Sequence, residues 1–311
     1  MREWNYDFAV PEKKKLRVIV HTDCKNEADD QFALAHHLMT QKFMIQCIIG
    51  GHFIKNPQEY GEGNTAQASV DEINKILHLM DLEGAYKVYK GSEYPLKDEV
   101  TPMSSEGVRF IIEEAMKESD KPLFAVFQGA VTDLASAILL KPEICGRMTA
   151  VWIGGGAWPE GGFEFNLLQD VAAANVVFKS SMPLWQVPIT TYKQMAVTFS
   201  ELQLRVKPYG RIGNYLFRQM VDFNNKCDYI HWPHGETWGL GDQATISVLM
   251  EEAEKTDIYE LRPAPYVNYE DLKYIHGKNT RSIRVYKMLD SRTTMEDFYA
   301  KLALNFPDEN A

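Results

Sequence analysis

Short, continuous apolar runs alternate along the chain with longer stretches in which apolar residues recur every three or four positions. The first run is residues 16–20, with Val18, Ile19 and Val20 in a row, and a polar loop follows it. From Asp30 the spacing of Phe32, Leu34, Ala35, Leu38 and Met39 predicts a helix. Further apolar runs at 43–49, 86–89, 122–127, 150–153 and 183–188 read as buried strands. Residues 65–80, 106–119 (capped by Ser104 or Ser105) and 200–227 carry helical periodicity, and a closing helix is expected from Thr294 to Asn305. Residues 257–288 alternate charge with aromatics and read as strands and loops. Strand followed by helix, repeated, implies an α/β fold: an open, mostly parallel Rossmann-like sheet with right-handed crossovers and helices on both faces. Residues 1–15 read as an arm and 16–305 as a single domain, since no repeat or low-complexity linker interrupts them.

Composition narrows the partners. A hydrophobic fraction of 45% is ample for a core, and a net charge of −10 disfavours a nucleic-acid surface or an anionic membrane. Cys24, Cys47, Cys145 and Cys227 are scattered without ligand-like spacing, as expected of reduced thiols in a cytoplasmic protein. The N-terminal residues carry no secretory pattern, and no apolar run reaches the length of a membrane span.

The chemistry concentrates at the ends of the predicted strands, where ligands bind in open parallel sheets. Asp23, Asp29 and Asp30 follow the first strand. Acidic groups in a first helical turn suit the helix dipole. Three carboxylates at one junction repel, however, and a divalent cation is one way to hold them together. The second strand ends at Gly50-Gly51-His52, with Asn56 beyond. The strand at 122–127 runs into Gln128-Gly129-Ala130-Val131-Thr132-Asp133-Leu134-Ala135. The strand at 150–153 runs into Gly154-Gly155-Gly156, and Glu164-Phe165-Asn166 precedes Asp170, which reads as an N-cap. A loop dense in Trp and His (His231, Trp232, His234, Trp238) precedes Gly241 and Asp242 at the start of another helix.

In this order the motifs resemble those of the inosine–uridine preferring nucleoside hydrolases. That family opens with Asp-x-Asp-Pro-Gly-x-Asp-Asp. Here Asp23, Asp29 and Asp30 match three of its aspartates, His21 replaces the first, and the loop is two residues longer and carries Asn26 and Glu27. Residues 129–135 resemble Gly-Pro-Leu-Thr-Asn-Leu-Ala, and residues 164–174 resemble Glu-Phe-Asn-x-x-x-Asp-Pro-x-Ala-Ala with Val171 for the proline. Asp242 matches the aspartate of His-Asp-Pro-x-Ala, with Gly241 where the family's leaving-group histidine stands.

The resemblance implies a calcium-dependent hydrolase acting on the N-glycosidic bond of a ribonucleoside or related ribosyl compound, in a homo-oligomer. It implies that Asp23, Asp30, Asp242 and the Gln128 carbonyl ligate calcium, with Asp23 also the general base. Asp29 and Asn166 would grip ribose, Glu164 with Asn166 would read its 5′ end, and His52 or Asn56 would touch the sugar. Trp232 or Trp238 is suited to stack on the base, and His231 or His234 to protonate it. A non-catalytic sugar- or nucleoside-binding protein on the same scaffold is the rival expectation. A DxDxT-type phosphatase is weaker, because His21 stands where its nucleophile is needed.

Overall fold

The computed structural model of the chain describes residues 3–229, 232, 235–250 and 255–307. The apolar runs become β1 (Leu16–Thr22), β2 (Phe43–Gly50), β3 (Val88–Lys90), β4 (Leu123–Phe127), β5 (Thr149–Ile153) and β6 (Leu184–Val187). Between them lie the helices α1 (Asp30–Met39), α2 (Thr65–Leu79), α3 (Glu106–Ala115), α4 (Thr132–Leu140), α5 (Phe165–Gln169) and α6 (Val171–Lys179). Ser105 is the cap of α3, its hydroxyl accepting the Val108 amide at 2.9 Å.

One eight-stranded sheet runs β3-β2-β1-β4-β5-β6, then the strand Ser282–Tyr286, then the strand Tyr259–Pro263. Every pairing in it is parallel except the last. Alternation along β1 divides the core between the two faces. Val18 and Val20 join the apolar cluster with α1 and α2, whereas Ile19 joins the one with α3, α4 and α6. Burying each such side chain contributes about 1.5–3 kcal/mol. Strand order reverses at β1, so the carboxyl ends of β1 and β4 form the topological switch point where an open α/β sheet leaves a crevice.

Three expectations are refined. The stretch 200–227 is two helices, Phe199–Arg205 and Gly210–Lys226, because Pro208 removes an amide and Gly210 turns with φ +62°. The Trp-rich loop contributes a strand, Thr237–Gly239, pairing antiparallel with Ala196–Thr198. The arm packs on the body: Asn5 N–H donates to Asn305 Oδ1 at 2.7 Å, and the Tyr6 hydroxyl to the Met39 carbonyl at 2.8 Å. Among the described residues no helix is long and apolar enough to cross a membrane.

Candidate functional site

Backbone hydrogen bonds first fix the strand ends. The Gln128 amide donates to the His21 carbonyl at 2.9 Å, joining the ends of β4 and β1. Gly129 lets the chain after β4 pass over the acidic loop, since a Cβ there would come within 2.7 Å of the Asp23 carboxyl carbon. Asn26, from the lengthened loop, closes a turn by donating its amide to the Asp23 carbonyl at 2.7 Å. Its side chain donates to Asp23 Oδ2 at 3.1 Å.

Four carboxylates then converge. Asp29, Asp30 and Asp242 place ligand oxygens within 4.8 Å of one another, all three buried. The Thr22 hydroxyl donates to Asp30 Oδ1. Asp23 lies beside them and raises the pKa of Asp242 through its charge. Burial pushes the Asp29 carboxyl up to about 6. Burial and the Asp29 charge push Asp30 up to about 7. Asp23 and Asp242 are both driven well above the usual carboxylate range, by burial first and then by neighbouring aspartates. Among the described residues no lysine or arginine pairs with any of the four. Hard oxygen donors gathered without a counter-charge fit a divalent cation, which would favour the ionised form of each. Gln128 Oε1 and Asn26 Oδ1, both buried without a hydrogen-bond partner, add unsatisfied oxygens to these two lining residues.

The opposite wall is built by β5 and α5. Glu164 is the N-cap of α5, its carboxylate accepting the amides of Asn166 (3.1 Å), Leu167 (2.8 Å) and Gly155 (2.7 Å). Gly155 presents its amide from a left-handed turn, φ +92°, that favours glycine. Asn166 Nδ2 donates to the carbonyls of Gln128 (3.3 Å) and Ile153 (3.0 Å), tying this wall to the aspartate side. The Gln128 side chain in turn donates to the Asp242 carbonyl at 3.2 Å. Behind Asp242, His36 bridges Gln243 Oε1 (2.7 Å) and Asp297 Oδ2 (2.8 Å), anchoring the loop to α1 and to the closing helix Ser291–Asn305.

The resulting cleft is about 50 Å³, and it is lined by Asp23, Asp29, Asp30, Gln128, Glu164, Asn166 and Asp242. Seven of the nine expected site residues therefore meet in one place. His52 and Trp238 do not. His52 is buried against the Thr132 hydroxyl at 2.8 Å, and Trp238 packs edge-on to Phe223 in the core. Trp232 packs at a tilt against Trp238, and His231 and His234 lie outside the described residues. Asp29, assigned to the sugar by the resemblance, stands with Asp30 and Asp242 in the tightest carboxylate group.

Sequence reasoning missed Tyr192, whose hydroxyl donates to Glu164 Oε1 at 2.9 Å within the cleft. Its signal was position: it follows β6 at the carboxyl edge of the sheet. Glu27 also lines the cleft, and it borders a second cavity of about 590 Å³ whose wall includes Lys25, Tyr60, Lys75, Tyr215 and Lys226.

The chain is 29% identical over 141 residues to a putative pyrimidine-specific ribonucleoside hydrolase of Shigella boydii, a match covering 44% of this chain and 55% of that protein. The match thus spans about half the length of this curated relative. A plant nucleoside hydrolase superposes with TM-score 0.70 at 15% identity, over 92% of this chain and 98% of that one. A purine-preferring ribonucleoside hydrolase from Gardnerella vaginalis does so with TM-score 0.69 at 21% identity, over 93% and 99%. These two likenesses establish a shared fold. The model of the inosine-uridine preferring nucleoside hydrolase family matches residues 18–295, and the chain belongs to that family.

Proposed function

We propose that the protein hydrolyses the N-glycosidic bond of a ribonucleoside or related ribosyl compound, releasing base and ribose, with calcium as its cofactor. The observation that carries this reading is the convergence of the first-loop aspartates, Asp242, the Gln128 strand end and the Glu164–Asn166 wall on one buried cleft at the switch point. Asp30, Asp242, Asp23 and the Gln128 carbonyl would hold the cation, and Asp29, grouped with Asp30 and Asp242, would be within reach of the same ion. When bound, such a cation lowers the pKa of water and fixes sugar hydroxyls.

The protein's own groups do the rest. Asp23, oriented by Asn26, accepts the proton of the attacking water. Asp29 and Asn166 hold ribose hydroxyls, and Glu164 with Asn166 meets the 5′ end. Carboxylates around the sugar stabilise the positive charge that builds at the anomeric carbon as the bond breaks. His52 and Trp238 do not line the cleft, and this reading gives them no contact with substrate.

The test is ribose release from a nucleoside panel, with calcium and with a chelator. Release that the chelator abolishes and calcium restores is the expected result. Asp23→Asn is expected to abolish release and retain nucleoside binding. A protein that binds nucleosides and releases no ribose from any of them would be a binder, and the reading would be wrong.

A further inference from the structure

Position 241 has no side chain, and the structure shows what occupies the space instead. A Cβ built on Gly241 would come within 2.8 Å of Tyr192 Cδ2, so the tyrosine ring lies where a larger residue would project. Tyr192 ends the short helix Ile189–Tyr192, and it lines the cleft together with Gly241, Glu27 and Asp29. The charges of Glu164, Glu27 and Asp29 all act on its phenol.

Among the described residues, the other neutral side-chain donors of the cleft are engaged with the protein frame, and Asn26, held against Asp23, keeps one further amide hydrogen on the aspartate side of the cleft. Asn26 Nδ2 bonds Asp23, Gln128 Nε2 bonds Asp242 and Thr245, and Asn166 Nδ2 bonds the carbonyls of Gln128 and Ile153. Tyr192 donates to a carboxylate that three backbone amides already satisfy, so its hydrogen can turn to a ligand without leaving Glu164 bare.

Resting on the nucleoside-hydrolase reading above, we propose that Tyr192 is a catalytic residue, whose hydroxyl donates a hydrogen bond to the departing base. As the C1′–N bond breaks, its electron pair leaves on the base nitrogen. The attacking water forms the C1′–O bond and gives its proton to Asp23. The Tyr192 hydroxyl stabilises the negative charge on the base, which takes a proton from solvent on release. Asp23 returns its own proton to solvent, closing the cycle.

Tyr192→Phe keeps the ring over Gly241 and removes only the hydroxyl. The experiment compares a nucleoside with p-nitrophenyl β-D-riboside, whose leaving phenolate needs no such help. For the nucleoside, kcat is expected to fall about 10- to 100-fold with KM within about threefold, the loss of one hydrogen bond to a charge-bearing group in the transition state. For the nitrophenyl riboside, kcat is expected to stay within about threefold of the parent. Gly241→Ala, which pushes the ring aside, is expected to give the same selective loss. An equal fall on both substrates would overturn the assignment, since a merely displaced Glu164 penalises the shared ribose. So would an unchanged nucleoside kcat. Failure of the parent protein to release ribose from either substrate sinks the hydrolase reading itself, and this one with it.

Discussion

His21 replaces an aspartate of the family pattern, and Asp133 stands at that pattern's asparagine. The structure joins these two departures. His21 Nε2 lies 2.9 Å from Asp133 Oδ2, both residues buried, pinning the end of β1 to the first turn of α4. The Asp133 carboxylate also accepts the Ser92 amide, the Ser92 hydroxyl (2.8 Å) and the Ser105 hydroxyl (2.7 Å). Four donor groups fill the roughly four lone-pair sites of a carboxylate. His21→Asp takes away one donor and sets a second carboxylate against the first. Two like charges about 4 Å apart repel by roughly 4 kcal/mol at an effective dielectric of about 20, and breaking a buried pair typically costs about 3–5 kcal/mol.

Adding Asp133→Asn to that variant returns a donor, with the hydrogen bond now running in the opposite direction. The Ser92 and Ser105 bonds remain on the amide oxygen. Rescue is expected to be partial, because the imidazole also packs against Phe127, at 5.1 Å between ring centroids, and an aspartate does not fill that volume. The double-mutant cycle, read by denaturant unfolding at neutral pH, is expected to give a coupling of about 3 kcal/mol. Because the His21 carbonyl also receives the Gln128 amide, turnover should fall and recover along with stability. Additivity of the two single changes to within about 0.5 kcal/mol would refute the pairing.

Other substitutions probe separate parts of the frame. His52 is buried with Nδ1 unpartnered, and burial depresses its pKa to about 4. A pKa depressed in the folded state gives stability that is present above about 6.5 and lost as pH falls toward 4, here about 3 kcal/mol. His52→Gln should flatten that acid slope in denaturant titrations from pH 7 to 4, and parallel slopes would count against it. Asp170→Ala removes the acceptor of the Ala173 amide (2.9 Å), the Leu96 amide (2.7 Å) and the Thr132 hydroxyl (2.7 Å). A loss of roughly 2–4 kcal/mol is expected, and less than about 1 kcal/mol would show that these bonds are replaced by water. Gly129→Ala drives a methyl into Asp23, and kcat for ribose release should fall at least about tenfold, with overpacking costing about 1–3 kcal/mol of stability. An unaltered kcat would mean that Asp23 tolerates the shift and is not the general base.

Much of this was legible because strand ends in parallel α/β sheets are simple to place. An apolar run such as 122–127 predicts β4, and the residue after it must then lie on the sheet's carboxyl rim. That reasoning placed Asp23 and Gln128 on one rim, and the family resemblance added Glu164, Asn166 and Asp242 from across the chain. It failed for His52, which also follows a strand, because position along a strand does not say which way a side chain turns. The Thr132 hydroxyl draws that imidazole into the core. It failed for Trp238 because aromatic density reads alike in a binding loop and in a packed cluster, and here Phe223 and Trp232 supply the cluster. The arm, charged and lysine-rich, gave no sign of the backbone and side-chain bonds that hold it to the closing helix.

The departures from the family pattern were legible one at a time and their compensation was not. His21 with Asp133, and Gly241 with Tyr192, are pairs separated in sequence and in contact in space. Read singly, each looks like a missing functional group. Read together, the first is a buried hydrogen bond between His21 and Asp133, and in the second the Tyr192 ring fills the space beside Gly241. The two extra residues of the first loop belong to the same logic. They bring Asn26 onto Asp23 and set Glu27 at the border of the larger cavity, so the loop that departs most from the pattern also supplies cleft lining. A site altered by decay would leave buried carboxylates unsupported and strand ends loose. Here Thr22 holds Asp30, Asn26 holds Asp23, and Gln128 and Asn166 bridge the walls. His21, Asn26 and Gly241 each meet a partner, in Asp133, Asp23 and the Tyr192 ring.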